Sequence, residues 1–486
     1  MSFPINWNAD PFKDRNWRFQ LNAWRMLDPY VNAYFATDDV TYLYNAMEYV
    51  RDWYDFNLVR DEENEYRWYD MATGIRGMHI ALLENARQRQ VIDLDARDAA
   101  MLRHLAAEHV RMTRQDGISQ NNHGLFQLAG LALICRAYKD DPLCEGIPDL
   151  VRSELNALMD DQFTHEGVHK EHSPDYHAFM LKAVKSIGAI QPYLDPVDFD
   201  AIEEALPWMA FPNGRLAWVG DSASRTKPLA SDPVPTCLTE NSCYAVGDFT
   251  SSGYAIIRDL PSKNPDSMIF MTGMSYSPTH RHADALSFEL FENGRMIFVD
   301  GGKYGYEESP KRQYVLTAGA HNTVGLRDTI IGSNQYEGMG SFLSPIETGN
   351  DGFKISGSTS VTRMYTHDRT LHYWPGKALE IHDAVKATGR RKRAPFVSQL
   401  LLAPDLEPVM REDGFDVKLD QEKMVVDLIA PGCRITSARG QTDPLRGWHS
   451  PSYLELVPAT SVQAECPGRK ADIRWSIHFT DSSHPR

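Results

Sequence analysis

The chain changes its hydrophobic period part-way along, and that change constrains the fold more than any other feature. Through about residue 210, apolar residues recur every three or four positions. WRFQLNAWRMLDPYVNAYF (Trp17–Phe35) shows this, Thr41–Phe56 repeats it, and the spacing is that of an amphipathic helix. Further helices are expected over Ala72–Arg89, Asp95–Thr113, Gly124–Tyr138, Leu150–Asp160, Tyr176–Ile190 and Pro196–Met209. Turn formers such as Asp38-Asp39, Asp116-Gly117 and Asp140-Asp141-Pro142 separate them. From Gly214 the pattern alternates instead, in YAIIRDL, SMIFMTG, ALSFELFENGRMIFVDGG, FKISGSTSVTRMY, ALEIHDAV, KMVVDLIA and DIRWSIHF. Alternation puts the apolar side chains on one face of a strand. Within Glu289–Asp300 the Asn293-Gly294 pair suits a two-residue hairpin turn.

Helices of moderate length with short loops pair into a toroid or solenoid, and alternating strands build an antiparallel sandwich. The expected class is therefore α+β and multidomain. Residues 1–225 form the helical domain and 241–486 the sandwich, and the Pro-, Ser- and Thr-rich stretch within Ser224–Asn241 supplies a linker at 226–240. A chain of 486 residues is long enough for two cores.

Composition excludes several classes of function. The net charge of −16 argues against nucleic acid and against anionic membrane surfaces. It also means that an acidic ligand would need a locally basic cleft. No stretch approaches the roughly 18 apolar residues of a membrane span; Leu125–Cys135 is broken by Gln127 and Gly130 and reads as a buried helix. MSFPINWNADPF has neither a basic nor an apolar leader region, so the expected location is cytoplasmic, or periplasmic or secreted if a leader has been removed. Cys135, Cys144, Cys237, Cys243, Cys433 and Cys466 lack CxxC spacing, which excludes zinc-finger and thioredoxin readings. Free buried thiols are expected, although Cys237 and Cys243 could close a small loop.

Four groups of residues could carry chemistry. QNNHG (Gln120–Gly124) stands at the mouth of a helix, where Asn121 or Asn122 would serve as an N-cap. In HKEHSPDYHAFM (His169–Met180), Ser173 caps a helix that starts at Pro174. Tyr176 then falls in the first turn, where the positive end of the helix dipole favours a tyrosinate. In THRHADALSFEL, His280 and His282 share one face of an extended segment while Arg281 points away. Asp300 ends the next strand and His321 follows, and two histidines plus a carboxylate make a plausible zinc ligand set. The fourth group is a scatter of cations: Lys303, Lys311, Arg312, Arg363, Arg369 and Arg390–Arg393.

Taken in order, NNHG, EHSPDYH, HRHADALSFEL, VDGGKYGY, RQYVLTAGAHNTV, HDRTLHYW…LEIHDAV and GWHSPSY resemble the heparinase II/III-like polysaccharide lyases. The resemblance runs from about Trp17 to Tyr453. It implies an incomplete (α/α) toroid followed by an antiparallel β-sandwich, with a cleft between them that takes a uronate-containing acidic polysaccharide or oligosaccharide. By the same match, Asn122 and His123 are the pair that neutralises the substrate carboxylate. Tyr176 is the catalytic tyrosine and His280 a second active-site histidine, and His282, Asp300 and His321 are the ligands of a structural Zn2+ ion. A further tyrosine of the family has three candidates here, Tyr304, Tyr306 and Tyr314. Lys303, Arg312, Tyr304 and Tyr306 are expected to bind substrate.

The implied reaction explains the residue types. The C5 proton of a uronate is barely acidic beside a negative carboxylate. Hydrogen bonds that neutralise the carboxylate stabilise the enolate-like intermediate. One base then takes the C5 proton, and one acid protonates the departing C4 oxygen. Tyr176 could do both where the two groups share a face; otherwise His123 or His280 is the base. A glycoside hydrolase is the rival, with Asp70, Glu171 and Asp175 as carboxylates. A carbohydrate-binding protein without catalysis is the other.

Overall fold

The computed structural model describes residues 3–194, 199–263, 266–273, 276–277, 279–327, 340–349, 351–360, 362–388, 395–420 and 422–481. Packing divides the chain into two units. One comprises Met1–Gln162 with Met180–Val197, and the other Phe163–Phe179 with Asp198–Arg486.

The first unit is helical, with helices at Arg15–Asn22, Asp28–Thr37, Thr41–Tyr54, Asp70–Gln88, Ala96–Asp116, Asn122–Ala137 and Ile147–Gln162. At some helix starts a side chain satisfies the free N–H groups: Asp14 accepts from Asn16 and Trp17, and Asp95 from Asp98. Asp70–Gln88 and Asn122–Ala137 cross at glycines. A Cβ at Gly74 would lie 2.2 Å from the Phe126 carbonyl oxygen, and one at Gly130 would lie 2.5 Å from that of Gly74. Only glycine lets the two backbones touch there. This crossing fixes both Asp70 and Asn122, which open their respective helices.

The second unit carries the strands. Thr236–Phe298 contributes six strands in sequence order, an antiparallel meander. Its first strand, Thr236–Thr239, lies in the stretch that composition marks as linker. A larger antiparallel sheet centres on Phe353–Thr359, Tyr365–Trp374, Ala378–Ala387, Lys470–Asp481 and Glu422–Ile429. A third sheet joins Arg434–Arg439, Thr460–Cys466, Phe396–Leu401 and Val324–Leu326. Burial alternates along Phe353–Thr359 and Tyr365–Trp374, so one face is core and the other wet. Ile269, Leu290, Leu371, Ile473, Leu400 and Val462 belong to one apolar cluster that draws on all three sheets, the interior of a sandwich. The hairpin turn forms where the sequence places it, with Asn293 and Gly294 at φ 55° and 74° between paired Glu292 and Arg295.

Two expectations are corrected here. The cysteines are not free thiols: Cys135–Cys144, Cys237–Cys243 and Cys433–Cys466 form disulfides. Spacing along the chain hides such pairs because the fold, not the sequence interval, brings the sulfurs together. Cys237 and Cys243 are cross-strand partners, whereas Cys433 and Cys466 come from different elements. Arg369, one of the scattered cations that could carry chemistry, is likewise closed to a ligand. It is fully buried, its guanidinium is forked onto Asp383 at 2.6 and 2.9 Å, and it donates to the carbonyls of Leu286 and Asn322. That bond set pins the backbone next to His321 to the large sheet. The run Arg390–Arg393 lies outside the described residues.

Candidate active site

In the sandwich unit the site is built from a helix start and three loops. Ser173 Oγ accepts from the Tyr176 N–H and pairs with Ser222 Oγ at 2.9 Å, so the helix Pro174–Ser186 begins as the sequence implies. The Tyr176 ring stacks on His280, with centroids 3.5 Å apart and 16° between planes. Its hydroxyl shares a 2.8 Å hydrogen bond with that of Tyr306. Removal from water pushes the Tyr176 phenol well above its ordinary pKa, and Tyr306 and the carboxylates of Asp221 and Glu171 push it further. The tyrosinate expected from the helix dipole is therefore not the resting form. Burial and neighbouring negative charge outweigh a partial positive end, and the group rests as a proton donor.

His280 sits at φ +59°, a conformation that a side chain with a Cβ rarely adopts. Two neighbours hold it there. The Asp221 N–H donates to its carbonyl at 2.9 Å, and Gly220, itself at φ +57°, approaches so closely that a Cβ would meet the His280 carbonyl oxygen at 2.6 Å. The ring Nδ1 lies 2.9 Å from Asp221 Oδ2, and Nε2 lies 3.9 Å from Glu171 Oε2. Asp221 also faces His282 Nε2 at 3.0 Å and takes both Nη atoms of Arg312 at 2.5 and 3.0 Å. Burial pushes the Asp221 carboxyl up, but hydrogen bonds from His280 and His282 and the Arg312 charge outweigh it and hold the group well below the carboxylate range.

His282, Asp300 and His321 are all buried, and one ligand atom from each lies within 4.8 Å of the others. The donor set fits a metal ion on three counts. Among the described residues, His282 Nδ1 is buried without a hydrogen-bond partner, as a ligand nitrogen would be. Asp221 holds the opposite nitrogen of that ring, and His449 Nδ1 lies 2.7 Å from the Asp300 carbonyl oxygen. Outer partners of this kind orient metal ligands.

In the helical unit, Asn121 is the N-cap, its Oδ1 accepting from the His123 N–H at 2.8 Å. Asn122 is thereby relieved of capping and is buried at the first helical position. Gly124 is required because a Cβ would meet the Ser119 carbonyl oxygen at 1.9 Å. His123 Nδ1 lies 2.9 Å from Asp70 Oδ1, and Ser119 donates to Asp70 Oδ2 at 2.6 Å. Burial pushes Asp70 up, while the bonds from His123, Ser119 and the Met71 N–H bring it below its usual value.

Two family profiles match the chain: Heparinase II/III N-terminus over residues 2–196, and Heparinase II/III-like, C-terminal over residues 244–477. The chain belongs to the heparinase II/III-like family. The crystal structure of heparinase III is similar at 16% identity and a TM-score of 0.77, over 98% of this chain and 79% of that one. Heparan sulfate lyase HepC from Pedobacter heparinus matches at 16% identity and 0.66, over 100% and 80%. A heparinase III with methylated lysines matches at 15% and 0.70, over 99% and 80%. At such identities the likeness is one of fold. No curated protein matches the chain in sequence. Family and fold class are those of polysaccharide lyases with an incomplete (α/α) toroid and an antiparallel sandwich, as expected.

Of the family residues carried over by motif, the sandwich unit brings Tyr176 and His280 into contact and gathers His282, Asp300 and His321. It also separates the three candidate tyrosines. Tyr306 meets Tyr176, whereas Tyr314 is buried with its hydroxyl donated to the Trp448 carbonyl, and Tyr304 sits under Lys311 with its N–H on Ser450. Arg312 does not offer its guanidinium to a ligand, because the fork is filled by Asp221 and Nη1 also donates to the Lys303 carbonyl at 2.8 Å. Lys303 stands 3.7 Å from Asp175 and 5.5 Å over the Tyr306 ring. His169, His172 and His177 are buried and held below their usual pKa by desolvation, so they are neutral packing residues. Asp221 had no sequence signal at all.

Proposed function

We propose that this lyase cleaves a uronate-containing acidic polysaccharide or oligosaccharide by β-elimination, leaving a 4,5-unsaturated uronate end. The observation that carries the reading is the stack of Tyr176 on His280 with Tyr306 on the phenol. A carboxylate can only accept, so the proton of His280 is on Nδ1 towards Asp221, and Nε2 presents a lone pair. That ring is set up as a base for C5, and the protonated Tyr176 as the acid for the C4 oxygen. Tyr306 is placed to share or resupply that proton. Asn122 and His123 are assigned to the substrate carboxylate by their motif, and Asp70 orients His123.

The hydrolase reading loses support because two of its three carboxylates are engaged. Asp70 holds His123 and Ser119, and Asp175 accepts the N–H groups of Ala223 and Ser224. Tyr176→Phe decides the mechanism: the fold should persist while turnover falls by about 10²–10⁴-fold, read as ultraviolet absorbance of unsaturated product. Near-normal rates would remove Tyr176 from the reaction.

His282, Asp300 and His321 would hold Zn2+. Its positive charge would join three segments of the sandwich unit, and the ion would itself give or take no proton. Protein purified without chelator should carry about one zinc per chain; elemental analysis finding no metal would remove the assignment. The three disulfides support residence in an oxidising compartment.

A further inference from the structure

We propose that Asp221 is a positioning residue that sets the ring tautomers of His280 and His282 together, so that filling the metal site and aiming the acting histidine become one event. The inference rests on the reading that His280 acts in the elimination. Asp221 is 1% exposed and spends each carboxylate oxygen on a different histidine. Oδ2 receives His280 Nδ1–H and leaves Nε2 as the lone-pair nitrogen. Oδ1 receives His282 Nε2–H and leaves Nδ1, buried without a partner among the described residues, for the metal. Two residues apart in sequence, these rings would otherwise choose tautomers independently.

The backbone repeats the linkage. The Asp221 N–H donates to the His280 carbonyl, which holds the left-handed turn, and Gly220 N–H donates to Asp284 Oδ2 at 3.4 Å. Arg312 supplies the charge that lets an anion stay in this dry position. A shift of His282 on metal loss would therefore move the one carboxylate that also steers His280.

Asp221→Asn tests the linkage, because an amide keeps the size but can accept from only one histidine at a time through its single oxygen. The variant leaves Arg312 buried without its anion, so Asp221→Asn/Arg312→Gln is made beside it to remove the uncompensated charge. Zinc affinity is measured by competition with a chromophoric chelator, which needs no substrate. It should fall about 10–100-fold in both variants. On a uronate polymer cleaved by the wild type, kcat should fall by a similar factor with KM nearly unchanged. Chelation and substitution should lower kcat less than additively, because they cut the same link. Unchanged zinc affinity, unchanged kcat, or strictly additive effects would each overturn the proposal. Activity retained in His280→Ala would instead overturn the reading of His280, while the zinc titration would still report on Asp221 and His282.

Discussion

His123 in the helical unit and His280 in the sandwich unit each hold Nδ1 2.9 Å from a carboxylate oxygen. Their surroundings differ sharply. The His123 side chain is 26% exposed and that of its partner Asp70 is 32% exposed, whereas Asp221 beside His280 is 1% exposed. Water can replace either member of the first pair. The second pair belongs to a dry cluster in which one carboxylate serves two histidines and a guanidinium. Equal distances thus conceal unequal energies, because the cost of breaking a polar contact is set mainly by what is left unpaired.

The largest effect should come from breaking that equality directly. Asp221→Ala strands Arg312 and two imidazole N–H groups in the interior and should cost about 3–5 kcal/mol of stability. Asp70→Ala leaves a partly wet histidine and a serine and should cost about 1 kcal/mol or less. Denaturant melts of the two variants, read by a signal from the sandwich unit for the first and by helical circular dichroism for the second, make the comparison. Similar losses would show that burial does not separate the two pairs.

The same contrast decides what could be read from the sequence. Asp70 and His123 lie on helices whose periodicity is plain, and NNHG marks the helix mouth by its capping residue. The change of period, the Ser173 cap and the Asn293-Gly294 turn are local, and each follows from one stretch of chain. Asp221 is 59 residues from His280 and 91 from Arg312, and nothing within its own segment announces either partner. Tyr306 could not be told from Tyr304 and Tyr314 because the deciding contact spans 130 residues. Arg312 and Arg369 illustrate the same limit in reverse. A cation in a sequence shows its charge but not the anion that has already taken it. The match of ordered motifs to a family carried the ligand set His282, Asp300 and His321, whose spacing alone would not have singled it out.

Disulfides sharpen the comparison at the next level. The helical unit holds Cys135–Cys144, with a separation of 9, while the sandwich unit holds Cys433–Cys466, with a separation of 33. Loop-closure entropy gives about 3.7 kcal/mol for the longer loop and about 2.6 kcal/mol for the shorter. Cys433→Ser/Cys466→Ser should therefore lower stability more than Cys135→Ser/Cys144→Ser. Intact mass with and without reductant checks that the pairs form, and melting temperatures rank them. The reverse ranking would mean that strain or residual structure in the unfolded chain outweighs loop length.

Acid should act gradually rather than at one point, and it should fall mainly on the sandwich unit. His172 and His177 are pushed down to about 3 and about 4 by burial. Their folded pKa lies below the unfolded value near 6.5, so each contributes stability that is fully present above about pH 6.5. The unfolded chain binds the proton first as pH falls, and the contribution is lost on the way down through about 4 and about 3. Each histidine adds a slope of up to about 1.4 kcal/mol per pH unit within that window. Glu292 runs the other way. Burial raises it to about 8, so its contribution is complete below its unfolded value near 4.5 and is lost as pH rises through 8. Between about pH 4.5 and 6.5 it offsets roughly one histidine, and below that range the histidines act without it. His177→Gln removes one of these groups; its Nε2 lies 2.8 Å from the Ile202 carbonyl, a bond that a glutamine N–H can replace. Melts at pH 7, 5.5 and 4 should show the variant losing less stability on acidification than the wild type. Parallel curves for the two proteins would show that His177 takes up no proton on unfolding.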